Sequence, residues 1–311
     1  MGTTDQDAHE LAALSCPCHE FGHLGGPRLA GNPLFSRPAP QCPASGFGGH
    51  LYREIVEFLA CPPWHSRDSP IASEANTRVN LIAAKTSILP PAQKALWPLL
   101  STLEHGFVLY GGTAIALRYG HRQSIDFDFF GVQSFDPDVF KAKYDFLKKG
   151  ETIQLGADTL SVFVPTRHGE VKFSFFGGLT FGRAGHPDIC NGNLVRLASP
   201  IDLAIQKLKV IRVRSEAKDY LDLDCLLRNG VNLAEALGAA QALYPDFPIP
   251  ITLRAMCYFD DGDVSTIPKE VKKRLQDYTR HFKAPAKGAR LDHHLDLPEA
   301  KIEQAAKTVR H

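Results

Sequence analysis

The sequence predicts an α+β fold, and three observations carry that prediction. GFVLY is a short apolar run that ends in a Gly-Gly break and leads into a helical stretch, TAIALRYG. SIDFDFF alternates polar and apolar residues as a half-buried strand does, and TLSVFVPTRHGEVKFSFFGG reads as a hairpin turning near Arg167, His168 and Gly169. From Pro200 onward the apolar spacing is helical, so a small mixed sheet with flanking helices is followed by a helical C-terminal half.

Taken in chain order, residues 1–75 are rich in Pro, Gly, Ser, Cys and His, with one short amphipathic helix in HLYREIVEFLACPP. Such a stretch offers little contiguous apolar surface to offset ordering entropy and is expected to be disordered or peripheral. A core spans 76–199: ANTRVNLIAAKT reads as a helix, ILPPAQKALWPLLSTLE as a second helix opened by proline, then come the strand GFVLY, the helix, SIDFDFF and the hairpin. The helical subdomain spans 200–285. IDLAIQKLKVIRVR and EAKDYLDLDCLLRNG are its first two helices, the second stopped by Asn229-Gly230. Residues 286–311 read as a frayed basic tail.

Composition narrows the function classes. A formal net charge of +1 supplies no global field to attract nucleic acid, so any such contact must come from a local patch. The apolar runs stop short of the ~18 residues a spanning helix needs, and the N-terminus lacks the basic and apolar regions of a secretory signal. Seven scattered cysteines, an odd number, fit reduced thiols in a cytoplasm better than a disulfide framework.

The chemistry concentrates in YGGTAIALRYGHRQSIDFDFF. Alternation along a strand points Asp126 and Asp128 to one face and Ile125, Phe127 and Phe129 to the other, into a core. Carboxylates about 7 Å apart on one strand face suit a pair of divalent cations clamping a triphosphate. Clustered acids on a strand with so apolar a reverse are costly unless paired or metal-bound. Gly111 and Gly112, lacking a Cβ, let backbone approach phosphate oxygens, and Thr113 is placed to cap the next helix or donate its hydroxyl.

A Gly-Gly turn, Thr, a helix and then S-x-D-x-D resembles the first motif of DNA-polymerase-β-type nucleotidyltransferases. The run GGTAIALRYGHRQSIDFDFF, with DLAIQKLKVIRVRSEAKDYLDLDCLL downstream, is similar to the AbiEii/AbiGii toxin family, over about residues 86 to 285. The resemblance implies a polymerase-β-like core and carries roles onto Lys207, Arg214, Lys218, Asp219 and Asp222. It also implies that Arg122 and Ser124, just before the DxD, meet phosphate or acceptor.

The residues support the second half on their own terms. Lys207 and Arg214 are seven apart, two helical turns, so they share a helix face. Asp219 and Asp222 share a face of the next helix, whose apolar stripe is Tyr220, Leu223 and Leu227. The plainer alternative makes Lys207 and Asp219 an interhelical surface ion pair. One departure stands out. Many members of the superfamily place a third carboxylate on a neighbouring strand, whereas VKFSFF offers Lys172 and Ser174 on that face, a pair usual in the subgroup. Asp219 is the candidate replacement, as base or third carboxylate.

Other motifs carry less. His19-Glu20-Phe21-Gly22-His23 matches H-E-x-x-H, but it lies between Pro17 and Gly25-Gly26-Pro27, where no stable helix can align the histidines, and Leu29 stands at the third-ligand position of the longer motif. Cys16, Cys18, His19 and His23 lack a second pair at finger spacing. Cys190, Cys225 and Cys257 read as core residues. Arg118 and His121 sit near Arg122 in the loop before the DxD strand, and Lys272, Lys273, Arg274, Arg280 and Lys283 form a basic helix, by default a solvated face and otherwise an RNA-docking one.

The expected activity is transfer of a nucleoside monophosphate from an NTP to an acceptor hydroxyl with release of pyrophosphate. Asp126 and Asp128 hold Mg²⁺ or Mn²⁺; Gly111, Gly112 and Thr113 cradle the triphosphate; and Lys207 and Arg214 steady its charge. The resemblance implies a toxin of a bacterial toxin–antitoxin or phage-defence system, with a separately encoded antitoxin and tRNA as favoured acceptor. Two alternatives are a non-catalytic nucleotide-binding module and a transferase of small molecules such as aminoglycosides.

Overall fold

The computed structural model describes residues 80–104, 106–288 and 290–309. The expectations for residues 1–75, among them the helix near His50 and the H-E-x-x-H stretch, lie outside the described residues.

Among these residues an eight-stranded mixed sheet forms in the order β1-β7-β8-β2-β3-β6-β5-β4. The chain enters through β1 (Leu81–Ile82), passes a 3₁₀ turn at Thr86–Ile88, and forms α1 (Pro91–Leu96). The helix expected over ANTRVNLIAAKT is therefore absent from its described part. Leu81 and Ile82 instead pair in parallel with Ile189 and Cys190, a tertiary contact that overrides weak local helix preference. The second helix is also shorter than expected. Pro98 brings no N–H, and the chain tightens into a 3₁₀ segment over Trp97–Thr102.

At the centre lie β2 (Phe107–Tyr110), α2 (Gly111–Tyr119) and β3 (Asp126–Gly131). Two short helices, α3 (Pro137–Lys143) and α4 (Asp145–Lys148), precede β4 (Glu151–Gly156), β5 (Thr159–Thr166) and β6 (Gly169–Phe176). β4 is an edge strand whose residues are mostly exposed, so it has no buried face to mark it in the sequence. β3 runs antiparallel to β2 and parallel to β6, near the middle of the sheet.

The reverse face of β3 explains its rigidity. Phe127 stacks on Phe173 with centroids 5.0 Å apart, and Phe129 on Phe175 at 5.3 Å, forming a cross-strand aromatic ladder. Trp97, Phe140 and Phe146 cover it from outside the sheet. Ile125 does not join this core. It precedes the strand and is 67% exposed.

β7 (Asp188–Cys190) and β8 (Arg196–Leu197) complete the sheet before α5 (Pro200–Val210). Ser199 caps that helix by accepting from the Asp202 N–H, and Asp202 accepts in turn from the Ala184 and Gly185 amides. Next come α6 (Ala217–Arg228), α7 (Leu233–Leu243), α8 (Ile249–Met256) and α9 (Lys269–His281). Asn229 closes α6 with a side-chain bond to the Cys225 carbonyl.

The expected C-terminal tail is instead a packed element. Asp292 bridges to Arg183, Asp296 is buried against Arg196, and α10 (Glu299–Val309) buries Ile302 and Ala305 beside Ile189. No helix among the described residues is long and apolar enough to cross a membrane.

Candidate active site

β2 ends at Tyr110, and α2 begins on the next residue with no side-chain cap. Thr113 therefore does not cap the helix. It is 1% exposed, and its hydroxyl donates to the Asp126 carbonyl, tying α2 to β3. Gly111 has φ +71°, and a Cβ there would lie 2.8 Å from Asp128 Oδ2. At Gly112 a Cβ would meet Arg122 Nη2 at 2.5 Å and Ser124 Oγ at 2.9 Å. The two glycines thus leave room for the protein's own Asp128, Arg122 and Ser124, all of which border the same cleft.

Asp126 and Asp128 share one face of β3, as strand alternation predicts. Burial pushes the Asp126 carboxyl up and the Asp128 charge adds to it, while Lys172, Lys218 and Arg214 pull it down. Across the β3–β6 register, Lys172 stands opposite Asp126 and Ser174 opposite Asp128. No acid stands on β6 in register with β3; Glu170 lies beyond the paired residues.

The cleft of about 360 Å³ that these carboxylates border is also lined by four cations, Arg122, Lys207, Arg214 and Lys218. The volume lies in the range of small-molecule sites. A larger groove, about 770 Å³, runs along the ends of α6, α7 and α9 and contains none of the predicted site residues.

Three of these cations are held by buried acids. Lys207 Nζ donates to Asp219 Oδ1 at 2.6 Å and pairs with Asp222 Oδ2 at 2.7 Å. Arg214 Nε donates to Asp219 Oδ2 at 2.8 Å. Arg122 grips Asp222 with Nε and Nη2, both at 2.7 Å, and His121 Nε2 meets the same carboxylate at 2.6 Å. Asp219 and Asp222 are both 0% exposed. Burial alone would raise their carboxyls, but Lys207 and Arg214 hold Asp219 below the usual range, and Lys207, His121 and Arg122 hold Asp222 well below it. Burial works against the Lys207 ammonium, yet Asp219 and Asp222 hold its pKa above the ordinary lysine value.

Sequence spacing put Lys207 and Arg214 on one helix face, but α5 ends at Val210. Arg214 lies in the turn beyond, and the two cations converge because both bind Asp219. The Lys207–Asp219 pair is indeed interhelical, but it is buried rather than on the surface. Asp219 itself does not line the cleft.

Several lining residues were missed. Gln206 and Val210 border the cleft together with Lys207, and their i, i+4 spacing on α5 was the available signal. Phe130 and Phe176, on the carboxylate face of adjacent strands, form an apolar end beside Tyr110, which stacks on Phe130 at 4.8 Å.

The donor set fits a hard divalent cation. Two carboxylates on one face suit Mg²⁺ or Mn²⁺, which take one or two carboxylates and complete their shell with phosphates and water. Ser174 Oγ, fully buried on that face in register with Asp128, has no hydrogen-bond partner among the described residues. Nor do the described residues gather three or more His, Cys, Asp or Glu into an all-protein cage.

Paired carboxylates and several cations bordering one cleft are compatible with nucleotidyl transfer. Comparison with known families agrees. The family described as "Nucleotidyl transferase AbiEii toxin, Type IV TA system" matches residues 95–297, and the chain belongs to that family. An uncharacterized protein of Aquifex aeolicus (strain VF5) is 29% identical over 184 residues, 58% of this chain and 86% of the relative.

Proposed function

We propose that this nucleotidyltransferase moves a nucleoside monophosphate from an NTP to a tRNA hydroxyl, acting as the toxin of a bacterial toxin–antitoxin or phage-defence pair with a separately encoded antitoxin. The observation that carries the reading is one cleft lined both by Asp126 and Asp128 and by Arg122, Lys207, Arg214 and Lys218. Mg²⁺ or Mn²⁺ held by the two carboxylates would supply Lewis-acid polarisation at the phosphoryl group. The acceptor hydroxyl oxygen bonds to the α-phosphorus as the bond to the oxygen bridging the α- and β-phosphates breaks; the hydroxyl proton passes to solvent, and pyrophosphate leaves with the bridging oxygen.

In this scheme Lys207 and Arg214 bind triphosphate oxygens and keep them in line, while the α2 terminus at Gly111 and Gly112 offers backbone N–H groups. Asp219 acts as a positioning residue rather than as the base. A carboxyl kept ionised by two cations is a weak proton acceptor, and its oxygens are already occupied.

Arg122, Lys207, Arg214 and Lys218 suit the phosphates of the nucleotide, and the resemblance to the toxin family favours RNA over an aminoglycoside as acceptor. The α9 helix supports this less than its composition suggests. Arg274 is engaged by Asp224, and Lys273 and Arg280 by Asp277.

The test is incubation of the protein with each α-labelled NTP, Mg²⁺ and total tRNA, beside an Asp126→Ala/Asp128→Ala control. Label on RNA with wild type alone is the expected result. Nucleotide binding without transfer to RNA or protein would move the reading to a non-catalytic module or a small-molecule acceptor.

A further inference from the structure

Side chains on the cleft face of β3 follow one another as Asp126, Asp128 and Phe130, with steps of about 7 Å. The row of acids therefore ends in an aromatic ring. Phe176 stands opposite Phe130 in the β3–β6 register, with ring centroids 5.4 Å apart, and Tyr110 stacks on Phe130 from β2. All three rings border the cleft, so one end of a charged site is apolar.

α5 brings a neutral polar group to the same end. Gln206 borders the cleft and is 8% exposed. Its Nε2 donates to the Tyr244 hydroxyl at 3.2 Å, whereas Oε1 is buried with no hydrogen-bond partner among the described residues. Tyr244 packs on Phe181 with centroids 5.7 Å apart, and Phe181 lies 6.4 Å from Phe130, which joins the amide to the aromatic cluster. Val210, one turn along the same face of α5, also borders the cleft. Lys207 lies about 100° round the helix from Gln206. Adjacent residues of α5 thus offer a cation suited to phosphate and an amide beside apolar surface.

An unpaired buried carbonyl oxygen is costly, and a ligand that brings a donor to it relieves that cost. A flat heteroaromatic ring with N–H groups on its edge fits this end, packing its faces on apolar side chains and offering its edge to the amide. A ribose has hydroxyl donors but no flat face for the rings.

We propose that the nucleobase of the NTP lies at the end formed by Phe130, Phe176 and Val210, and that Gln206 Oε1 accepts from an N–H on its edge. Oε1 is covered in the free protein, so the amide turns toward the cleft as the base enters. The inference rests on the NTP-binding reading above and adds the base subsite and a specificity-determining residue to it.

The experiment is calorimetric titration of the full-length protein with Mg²⁺ and no acceptor. The ligands are the four NTPs, inorganic tripolyphosphate, and the triphosphates of purine riboside and pyrimidin-2-one riboside, whose base edges carry no N–H. Wild type should bind its preferred NTP about fivefold more tightly than the size-matched donor-free analogue, the worth of one hydrogen bond. Gln206→Met should abolish that difference and leave tripolyphosphate affinity unchanged. No difference in wild type, or one that persists in folded Gln206→Met, would overturn the proposal. So would an equal loss of tripolyphosphate affinity, which a merely structural role for Gln206 would produce. A preference for NTP over 2′-deoxy-NTP that Gln206→Met removes, with the base difference intact, would assign the amide to ribose and overturn it as well. Wild type that binds no NTP would remove the underlying reading, whereas NTP binding and transfer without a base difference would remove this inference alone.

Discussion

Lys207 lies between Asp219 and Asp222, its ammonium 2.6 Å from one carboxylate and 2.7 Å from the other. That bridge joins two smaller pairs, Arg214 with Asp219 and Arg122 with Asp222, into one buried unit. Three cations share these two carboxylates, and Arg214 also lies 3.5 Å from Glu216, so each cation is held by ion pairs at the border of the cleft. Fixing the cations before substrate arrives is the form of preorganisation that electrostatic catalysis needs.

Removing Asp222 should therefore cost more stability than removing Lys207. Asp222→Ala strips Lys207, Arg122 and His121 of a common acceptor, a change of the kind that costs about 3–5 kcal/mol. Lys207→Met leaves Asp219 with Arg214, and Asp222 with Arg122 and His121, so its cost is smaller. Urea unfolding of the two variants checks the order. Transfer activity should invert it in significance, with folded Lys207→Met losing triphosphate binding although most of its stability remains.

The pH dependence separates Asp126 from the acids that hold the cations. Its folded pKa is raised, so its ionisation destabilises the metal-free protein as pH climbs through that value. Asp219 and Asp222 are depressed, so their contribution is present above the unfolded carboxylate range of about 4 and is lost only as pH falls through lower values. Asp126→Asn should raise the metal-free Tm at neutral pH, worth about 0.5–2 kcal/mol as for other relieved active-site strain. The gain should shrink toward pH 4. Melting curves of both proteins from pH 4 to 8 test this, and an Asp126→Asn protein less stable than wild type at pH 7 would contradict it.

Gly111→Ala joins a backbone effect to a site effect. The left-handed φ of +71° costs a non-glycine residue about 1–2 kcal/mol. The added methyl also meets Asp128 Oδ2 at 2.8 Å, so the carboxylate must move. Displacement of a site group by ~1 Å commonly lowers rate by ~10²-fold. The variant should thus remain folded, with a modest fall in Tm and a much larger loss of transfer.

What the sequence made legible was local. SIDFDFF declares its own alternation, and the Gly-Gly break before TAIALRYG marks where strand gives way to helix, so β2, α2 and β3 could be read from neighbours alone. β7 and β8 could not, because strands of three and two residues hold too little pattern and exist through their partners. Asp222 was visible as one acid of K-D-x-x-D, but its place as shared acceptor depends on Arg122 and His121, about a hundred residues earlier. Ile125 failed for the opposite reason. Alternation was extended one residue past the true start of the strand, at Asp126.

The C-terminal segment shows the same dependence on distant partners and yields the last prediction. Asp296 Oδ2 accepts from Arg196 Nε and from the Gly106 amide, both at 2.9 Å, and Arg196 Nη2 reaches the carbonyls of Glu104 and Phe107 at 3.0 Å. These bonds lock residues near 296 to the start of β2, the strand that delivers Gly111 and Gly112 to the cleft. Asp296→Ala leaves the Arg196 guanidinium buried without its carboxylate, at about 3–5 kcal/mol. Replacing both partners with apolar residues, Arg196→Met with Asp296→Leu, should recover part of that loss, since no unpaired charge then remains. Urea midpoints for the single and double variants measure the coupling. A single variant within about 0.5 kcal/mol of wild type, the range of an ordinary surface substitution, would show that the segment is not anchored through this pair.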